Sequence, residues 1–311
     1  MANQSFLPVI PVATPEFKSG FIAIIGRPNV GKSTLMNHLV GQKIAITSPV
    51  AQTTRNRLRG ILTTPQAQII FVDTPGIHKP HHELGKVLVQ NAVSAINNAD
   101  VVLFVVDASS DCGGGDRYIA EILQKSQTPV VLGLNKTDLQ GETREKLNES
   151  YQEICQENWQ MINFSAVTGE GLESLQQELI NKLDYGPYYY PPDLVTDQPE
   201  RFIIGELIRE QILLFTKEEI PHSVAVTVEK MEEGEKLTKI YAAINVERNS
   251  QKSIMIGHKG SMLKQIGSAS RQQMQKLLSG KVYLELFVKV EPKWRQSRLR
   301  LAEFGYQVVD D

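Results

Sequence analysis

The sequence predicts two domains, an α/β domain with a doubly wound, mostly parallel sheet and, after it, a smaller α+β domain. Between residues 20 and 185, continuous apolar runs such as DVVLFVV (100–106) alternate with segments of helical periodicity. Buried parallel strands and the helices that connect them produce this alternation. Between residues 222 and 246, apolar and polar residues alternate instead, which is typical of strands with one solvated face. Residues 184–200 hold four prolines and four tyrosines and separate the two patterns.

Length and composition set the broad class. The 311 residues are enough for two hydrophobic cores, and 41% hydrophobic with 22% charged residues is ordinary for a soluble protein. No apolar run approaches the about 18 residues that a membrane-spanning helix needs. The two cysteines form no CxxC pair, which favours a reducing cytosol and argues against a disulfide framework or a zinc site. The expected divisions are an irregular tail at 1–19, a first domain at 20–185, a linker at 186–200 and a second domain at 201–311.

The net charge of −2 conceals an asymmetry between the two halves of the chain. Counting Lys and Arg against Asp and Glu, residues 1–199 carry −5 and residues 200–311 carry +3. Residues 251–300 contain 11 basic residues and only two acidic ones. A basic face of this size points to a polyanionic partner, although a solvated Lys and Arg surface would give the same count.

The first motif is a phosphate-binding loop within FIAIIGRPNVGKSTL (21–35). It matches G-x-x-x-x-G-K-[ST] between an apolar strand and a helix. Gly26 and Gly31 let the backbone curl so that its N–H groups face a phosphate, and the helix N-terminus points at the same place. Lys32 supplies charge to the outer phosphates, and the Ser33 hydroxyl is placed for Mg²⁺. The expected nucleotide contacts of this loop are Gly26, Arg27, Pro28, Asn29, Val30, Gly31, Lys32, Ser33 and Thr34.

Residues 42–60 follow the first helix and read as a loop that orders around a bound nucleotide. They are polar, contain a proline and show no clear periodicity before Leu58. A hydroxyl from this loop would give Mg²⁺ a second protein ligand. Thr53 and Thr54 are both candidates, and we prefer Thr54.

A second apolar strand (67–72) runs into the motif DTPG. A carboxylate at this strand end lies beside the phosphate loop and can hold Mg²⁺ through water. The glycine offers a backbone N–H to a γ-phosphate and lets the loop move when that phosphate leaves. The expected nucleotide contacts here are Asp73, Thr74, Pro75 and Gly76.

The third motif, NKTD (135–138), follows an apolar strand and is expected to select the base. The Asp138 carboxylate can accept from the ring N–H and the amino group of guanine, whereas adenine has no donors there and would leave the acid unpaired. Asn135 and Lys136 would brace the loop, with the lysine stem over the base. The backbone of a further turn, Ser165-Ala166-Val167, is expected to contact the guanine oxygen.

The remaining elements follow from apolar spacing. Helices are expected at about 33–40, 84–98, 117–125 and 201–215. Strands are expected at about 100–106, 129–134, 161–164, 222–229, 237–246 and 281–290, with a flexible turn at 112–115.

Together these motifs resemble those of P-loop GTPases over residues 20–185. We therefore expect Lys32, Thr54 and Gly76 to make the catalytic contacts. One departure stands out, because Ile77 occupies the position where Ras-like enzymes have a glutamine that orients water. Isoleucine cannot polarise a water molecule, so slow intrinsic hydrolysis is expected. Asn29 resembles the asparagine with which some bacterial-type GTPases recruit K⁺.

The second domain carries IMIGHKGSMLK (254–264), a G-x-x-G turn that leads into a basic amphipathic helix. Such a turn lets a nucleic-acid backbone approach closely, as in the clamp with which KH domains hold about four nucleotides. A simple helix–turn–helix connection in a small α/β domain is the alternative. The expected RNA contacts are Ile256, Gly257, His258, Lys259, Gly260, Lys264 and Arg271.

The order GRPNVGKS, AQTTR, DTPGIHKP, NKTD, SA and IGHKG resembles the Era family of bacterial GTPases over all but the first 19 residues or so. The resemblance implies a P-loop GTPase domain followed by a type II KH domain, with GTP, GDP and Mg²⁺ as ligands. It implies an assembly factor of the small (30S) ribosomal subunit that grips the 3′ end of 16S ribosomal RNA. It further implies a cytoplasmic monomer with peripheral contact to the membrane, which nothing in these residues requires.

The mechanism expected from this resemblance is a switch in which GTP and Mg²⁺ order residues 42–60 and 73–85 and thereby control RNA access. Two other functions remain open on the sequence alone. One is an RNA-binding or ribosome-anchoring protein whose nucleotide is structural and rarely hydrolysed, which Ile77 favours. The other is an enzyme acting on a substrate other than GTP, with a second domain for protein contacts, which NKTD disfavours because it selects guanine.

Overall fold

The structure is a computed structural model, and it describes residues 10–49, 53, 58–77, 83–217, 220–234, 236–278 and 280–304. Only the backbone is described at 83–88, 91 and 222. Thr54 and residues 1–9 of the predicted tail lie outside the described residues. The described residues form two compact units, the first from 10–44 and 58–197 and the second from 45–49, 53 and 198–304.

The first unit is built on a sheet whose described strands are β1 (Lys18–Ile25), β2 (Leu58–Thr63), β3 (Ala67–Asp73), β4 (Val101–Asp107), β5 (Val130–Asn135) and β6 (Gln160–Asn163). They lie in the order β2-β3-β1-β4-β5-β6. Strand β1 pairs in parallel with β3 and β4, and β5 pairs in parallel with β4 and β6. Strand β2 pairs antiparallel with β3. The predicted doubly wound, mostly parallel sheet is confirmed.

Helices connect these strands and cover the sheet. They are α1 (Lys32–Val40), α2 (Glu83–Asn97), α3 (Gly114–Leu123), α4 (Arg144–Gln152) and α5 (Leu172–Lys182). Every residue of 22–25 and of 101–106 is 0% exposed. These central strands are buried on both faces, which is why their sequences are unbroken apolar runs rather than alternating ones.

Strand β2 was not predicted, since residues 42–60 were interpreted as a loop and residues 61–66 were assigned to no element. Its sequence, LRGILT, has an interior glycine, which weakens a strand signal. In the structure a Cβ at Gly60 would lie 2.9 Å from Cγ of Met36 on α1. The glycine therefore serves the close approach of α1 to this edge strand.

The predicted flexible turn at 112–115 was wrong in its second half. Gly114 and Gly115 form the first turn of α3, which begins three residues earlier than expected. The Asp116 carboxylate accepts from the N–H of Gly113 and so caps the helix, which compensates for the low helix propensity of the glycines.

The proline- and tyrosine-rich stretch packs on the first sheet; we call residues 186–197 the strap. The N–H groups of Tyr189 and Tyr190 donate to Oε1 of Gln68 at 2.8 and 2.9 Å. The N–H of Ile61 in β2 donates to the carbonyl of Val195 at 2.8 Å. The strap is therefore an ordered part of the first unit.

The second unit contains a smaller sheet with helices around it. Its described strands are β7 (Ala225–Glu232), β8 (Leu237–Val246) and β9 (Lys281–Val290). Its helices are α6 (Glu200–Phe215), α7 (Ile220–Ser223), α8 (Asn249–Ile256), α9 (Ser261–Leu277) and α10 (Arg298–Glu303). Strands β7 and β8 are antiparallel, and β8 and β9 are parallel. The predicted smaller α+β domain is confirmed, with β7 starting three residues late because the chain first forms α7. Across the described residues, no helix combines the length and apolarity needed to cross a membrane.

Candidate functional site

The phosphate-binding loop lies between the end of β1 and the start of α1, where both of its glycines are sterically required. A Cβ at Gly26 would lie 2.3 Å from the carbonyl oxygen of Val105 in β4. A Cβ at Gly31 would lie 2.3 Å from Nδ2 of Asn135, and its φ of 99° is left-handed. Asn29 also has a positive φ, of 64°. When left-handed residues alternate with right-handed ones in this way, successive backbone N–H groups point toward one place.

Lys32 lies inside the curl of this loop and is 6% exposed. Its Nζ donates to the carbonyl oxygens of Gly26 and Arg27 at 3.2 and 2.9 Å. Burial lowers the pKa of Lys32 to about 8, although the nearby charge of Asp73 acts in the opposite direction. A buried cation held by neutral carbonyls is well suited to an anionic ligand.

The Ser33 hydroxyl donates to Oδ2 of Asp73 at 2.7 Å. Ser33 is in the first turn of α1, and Asp73 ends β3 with 0% exposure. A hydroxyl and a carboxylate are the hard oxygen ligands that Mg²⁺ prefers, and it commonly takes one or two protein oxygens together with water and phosphate oxygens. The pair therefore fits a Mg²⁺ ion.

The DTPG segment folds back on the phosphate loop. A Cβ at Gly76 would lie 2.5 Å from the backbone nitrogen of Pro28, so no other residue fits without displacing the loop. The Thr74 hydroxyl donates to the carbonyl of Ile24 at 2.9 Å, which attaches this segment to the end of β1. Ile77 is 1% exposed and belongs to the hydrophobic core. Its side chain is thus directed into the protein and cannot orient a water.

The base motif is joined to its neighbours by the side chain of Asn135, which is 1% exposed. Its Nδ2 donates to the carbonyl of Val30 at 2.7 Å. Its Oδ1 accepts from the N–H groups of Lys136 and Ala166 at 2.8 and 2.9 Å. One amide therefore connects the phosphate loop, the base motif and the Ser165–Val167 turn.

The remaining residues predicted to contact the guanine base differ in exposure and in hydrogen bonding. Asp138 is exposed. Lys136 has a φ of 70°, and its Nζ donates to Oδ2 of Asp107 at 2.5 Å. Val167 is 73% exposed, and Ser165 Oγ accepts from its N–H at 3.3 Å. Asp107, at the end of β4, was missed by sequence reasoning because no motif includes it.

The structure thus brings the phosphate loop, DTPG, NKTD and the Ser165–Val167 turn to the carboxyl ends of the parallel strands, where ligands bind in open α/β sheets. Thr53 belongs to the second unit. There its carbonyl accepts from Nη2 of Arg209 at 2.5 Å, and the N–H of Thr47 donates to Oε1 of Glu210 at 2.8 Å. Thr54 lies outside the described residues, so the preference for Thr54 over Thr53 as a Mg²⁺ ligand stays a prediction.

The G-x-x-G turn of the second unit joins α8 to α9. Gly257, Lys259 and Gly260 have φ values of 73°, 50° and 79°. A Cβ at Gly257 would lie 2.8 Å from the backbone nitrogen of Met262, whereas one at Gly260 would meet no heavy atom within 4 Å. The first glycine is therefore needed for the turn, and the second leaves an open surface above it.

Helix α9 presents opposite faces to the core and to solvent. Ile266, Ser270 and Met274 are buried at helical spacing. Lys264 and Arg271, seven residues apart, are exposed on the other side. His258 and Lys259 in the turn are also exposed, and Ile256 beside them is half-buried. A basic helix behind a glycine turn can hold a polyanionic backbone.

Two family models match the chain. Residues 21–136 match a model described as a 50S ribosome-binding GTPase. Residues 219–295 match a KH domain model. The first match spans the phosphate loop, DTPG and the start of NKTD, and the second spans the G-x-x-G turn.

Curated relatives extend over nearly the whole chain. The GTPase Era of Rippkaea orientalis is 70% identical over 307 residues, covering 98% of each chain. The GTPase Era of Synechocystis is 66% identical over 303 residues, or 97% of this chain and 96% of the relative. The GTPase Era of Leuconostoc citreum is 49% identical over 300 residues, or 95% and 98%.

Two solved structures are similar along 94% of this chain and 100% of theirs, at 38% identity. One is a single-residue variant of Aquifex aeolicus Era bound to GDP and AlF₄⁻, with a TM-score of 0.88. The other is Era in complex with MgGDPNP and nucleotides 1506–1542 of 16S ribosomal RNA, with a TM-score of 0.87.

Proposed function

The chain belongs to the Era family of GTPases, and from this we propose that it couples GTP hydrolysis to the binding of 16S ribosomal RNA during assembly of the small (30S) ribosomal subunit. The proposed GTP binding is supported above all by one observation. The side chain of Asn135 joins the phosphate loop, NKTD and the Ser165–Val167 turn by hydrogen bonds. For this function we retain the predicted divisions, a GTPase domain at 20–185, a linker at 186–200 and an RNA-binding KH domain at 201–311. Strand β1 nevertheless begins at Lys18, within the predicted tail, and the compact units divide at Asp197 with residues 45–49 and 53 in the second unit.

Each loop has one task in holding GTP. The backbone N–H groups of residues 26–34, apart from Pro28, which has none, face the phosphates, and Lys32 neutralises their charge. Asp138 accepts from the guanine ring N–H and amino group, the Lys136 stem covers the base, and the backbone of the Ser165–Val167 turn contacts the guanine oxygen. Asp73–Gly76 lies against the phosphate loop and supplies N–H groups at the γ-phosphate.

Mg²⁺ would be held by Ser33, Asp73 and Thr54. The ion supplies charge neutralisation between the β- and γ-phosphates. The Ser33 hydroxyl lies in the first turn of α1 and the Asp73 carboxylate is buried at a strand end, so both ligands sit on rigid elements. Thr54 would add a further hydroxyl ligand from residues 42–60.

Hydrolysis transfers the γ-phosphoryl group to water, and this chain catalyses it by positioning and charge. Lys32 and the N–H of Gly76 stabilise charge on the transferred group. Because Ile77 is packed in the core, no side chain at that position orients the attacking water. Intrinsic turnover is therefore slow. We assign the missing stabilisation to K⁺ bound near Asn29, so replacing Na⁺ by K⁺ should raise kcat, and an unchanged rate would discard this assignment.

The KH domain would grip the single-stranded 3′ end of the RNA. The open surface above Gly260 admits the sugar–phosphate backbone, and Lys259, Lys264 and Arg271 add charge. By linkage, RNA that favours the GTP form must also raise the affinity for GTP. Equal RNA affinity with GDP and with a non-hydrolysable GTP analogue would contradict the coupling.

The test is GTP turnover in K⁺ buffer with and without a short RNA that copies the 3′ tail of 16S ribosomal RNA. The same assay is run on Gly260→Asp, which places a negative charge where a phosphate should lie. Its Cβ would meet no neighbouring atom, although the φ of 79° strains any residue other than glycine. Gly141→Asp is the matched control, because Gly141 also has a positive φ and no heavy atom within 4 Å of an added Cβ.

We expect RNA to stimulate wild type and Gly141→Asp but not Gly260→Asp. That result would support GTPase activity, the RNA clamp and their coupling together. Basal turnover without stimulation in any variant would overturn the RNA half of the proposal. Absence of turnover in wild type would overturn the whole.

We further propose that the protein acts as a cytoplasmic monomer. Peripheral membrane binding, which the family resemblance implies, requires an attraction between the basic second domain and anionic lipid. Co-sedimentation with vesicles containing about 30% phosphatidylserine tests it at about 0.1 M salt, where such attraction is still effective.

A further inference from the structure

A buried carboxylate outside the nucleotide motifs is attached to the phosphate loop. Asp116 in α3 is 0% exposed. Its Oδ1 accepts from Nε of Arg27, the second residue of the loop, at 2.7 Å. A buried acid needs a partner because its desolvation is otherwise strongly unfavourable. Arg27 and Asp116 are therefore tied to each other although 89 residues separate them.

The acid is itself held in a fixed orientation. Its Oδ2 accepts from the N–H of Gly113 at 3.1 Å, and the N–H of Asp116 donates to the carbonyl of Gly113 at 3.1 Å. This reciprocal arrangement caps α3 and places the carboxylate on a ten-residue helix. Arg27 is thus anchored to a rigid element and not to a mobile side chain.

The glycines of α3 fit this contact. A Cβ at Gly115 would lie 2.6 Å from Cδ of Arg27 and 3.4 Å from Cγ. The backbone of Gly115 is not left-handed, so the glycine is required by the arginine stem and not by its own conformation. Its neighbour Gly114 is also helical, and a Cβ there would meet nothing within 4 Å.

The anchored residue belongs to the part of the loop that meets phosphate. The carbonyl of Arg27 accepts from Nζ of Lys32 at 2.9 Å. The same peptide unit leads into Pro28, against which Gly76 is packed. Holding the Arg27 side chain therefore fixes the loop conformation before a ligand binds, and preorganisation of this kind strengthens binding.

We propose that Asp116 is a positioning residue for the phosphate loop, acting through Arg27, and that Gly115 is glycine in order to admit the arginine. The proposal rests on the assignment of this loop to GTP and GDP. A pair that served stability alone would, on disruption, lower the melting temperature without a selective effect on the phosphates. A positioning role predicts instead that disruption weakens binding of the nucleotide phosphates selectively.

The decisive variant is Gly115→Ala, which pushes the Arg27 stem away while leaving both charges in place. Its matched control is Gly114→Ala, with the same added methyl one residue away. The affinities of GDP and GMP are measured by calorimetry for both variants and wild type. Because GMP lacks the β-phosphate, a fall in the ratio of GDP to GMP affinity reports on the phosphate loop specifically.

For Gly115→Ala we expect GDP affinity to fall about tenfold and the GDP to GMP ratio to fall with it, as loss of a preorganised contact predicts. Gly114→Ala should match wild type. If both alanine variants bind GDP equally, Asp116 and Gly115 have no positioning role. If wild type itself binds no GDP, the proposed function has failed instead.

A double-mutant cycle covers the case in which Gly115→Ala does not fold. Arg27→Gln removes the positive charge, Asp116→Asn removes the negative charge, and the double variant removes both. If the pair acts as a unit, the three variants should lose GDP affinity to a similar, non-additive extent. Additive losses would show independent effects and would overturn the proposal.

Discussion

Nδ2 of Asn135 lies 2.7 Å from the carbonyl oxygen of Val30 and donates a hydrogen bond to it. The base motif and the phosphate loop are thus in direct contact through one buried amide. Gly31 permits this approach, because a Cβ there would lie 2.3 Å from the same nitrogen. The two ends of a bound nucleotide would therefore be recognised by loops whose positions depend on each other.

Asn135→Ala is expected to weaken GDP binding about a hundredfold and to lower the free energy of unfolding by about 1–3 kcal/mol, because the buried carbonyl of Val30 and N–H of Ala166 lose their partner. Titration calorimetry and thermal denaturation without nucleotide measure the two effects. Asn98→Ala is the control, since Asn98 is exposed and its side-chain amide donates to Ser94, four residues earlier. Unchanged GDP affinity in Asn135→Ala would refute the connecting role.

Nucleotide affinity should depend on pH through Lys32. Burial lowers its pKa to about 8, so the lysine loses its charge as pH rises through that value. Bound phosphates favour the charged form and raise the pKa in the complex. GDP affinity should therefore be constant below about pH 8 and fall above it, by up to about tenfold per pH unit.

Calorimetry in buffers of different ionisation enthalpy checks the mechanism behind this fall. Near about pH 9, GDP binding should take up close to one proton, and near about pH 6.5 none from this group. Proton release at the higher pH, or an affinity profile that stays flat well above the pKa of Lys32, would mean that the lysine keeps its charge without phosphate.

Ile77→Gln should not restore a water-orienting residue. The side chain is 1% exposed within the core, so a glutamine there buries an unpaired amide and is expected to destabilise the fold by about 1–3 kcal/mol. No rise in kcat is expected. Ile77→Val, which should lower stability by only about 0.5–1.5 kcal/mol, is the control for packing. A clear gain in kcat for the glutamine variant would show that the side chain can reach the phosphates.

Asp107→Asn should weaken GTP binding several-fold. Although burial acts in the opposite direction, hydrogen bonds from Lys136 and Ser109 hold the pKa of Asp107 below its usual range, so the ion pair is intact at neutral pH. Without the charge, Lys136 is no longer fixed beside the base, and an affinity loss of about three- to tenfold is expected, as for a partly exposed pair. The GTP affinity is measured by displacement of a fluorescent GDP analogue with GTP. Glu153→Gln, which removes an exposed partner of Arg117, should leave affinity unchanged.

The sequence predicted those parts of the fold and site that depend on local pattern. The apolar runs of β3, β4 and β5 and the alternation of β8 appear within a residue or so of their expected bounds. The phosphate loop, DTPG and NKTD were placed because each follows such a run directly. Parallel strands then bring their carboxyl ends together without further information.

Parts that depend on distant contacts could not be predicted. Gly60 in β2 allows the close approach of α1, a helix that precedes the strand in the chain. In a local sequence pattern the same glycine counts only as a strand breaker. Gly115 likewise makes room for the side chain of Arg27. From the sequence, the three glycines before Asp116 predicted only a flexible turn. Asp107 has no motif around it, since its role is defined by a lysine 29 residues later.

The strap has a consequence for solubility. Strand β2 ends one side of the sheet, and such a strand offers backbone N–H and C=O groups to any extended chain that meets it. Here Ile61 donates to Val195, and the Thr196 hydroxyl donates to the carbonyl of Arg59 at 2.7 Å. The connection between domains therefore also guards this edge against intermolecular strand pairing, so cutting the chain before the strap to isolate the GTPase domain would create an aggregation-prone fragment.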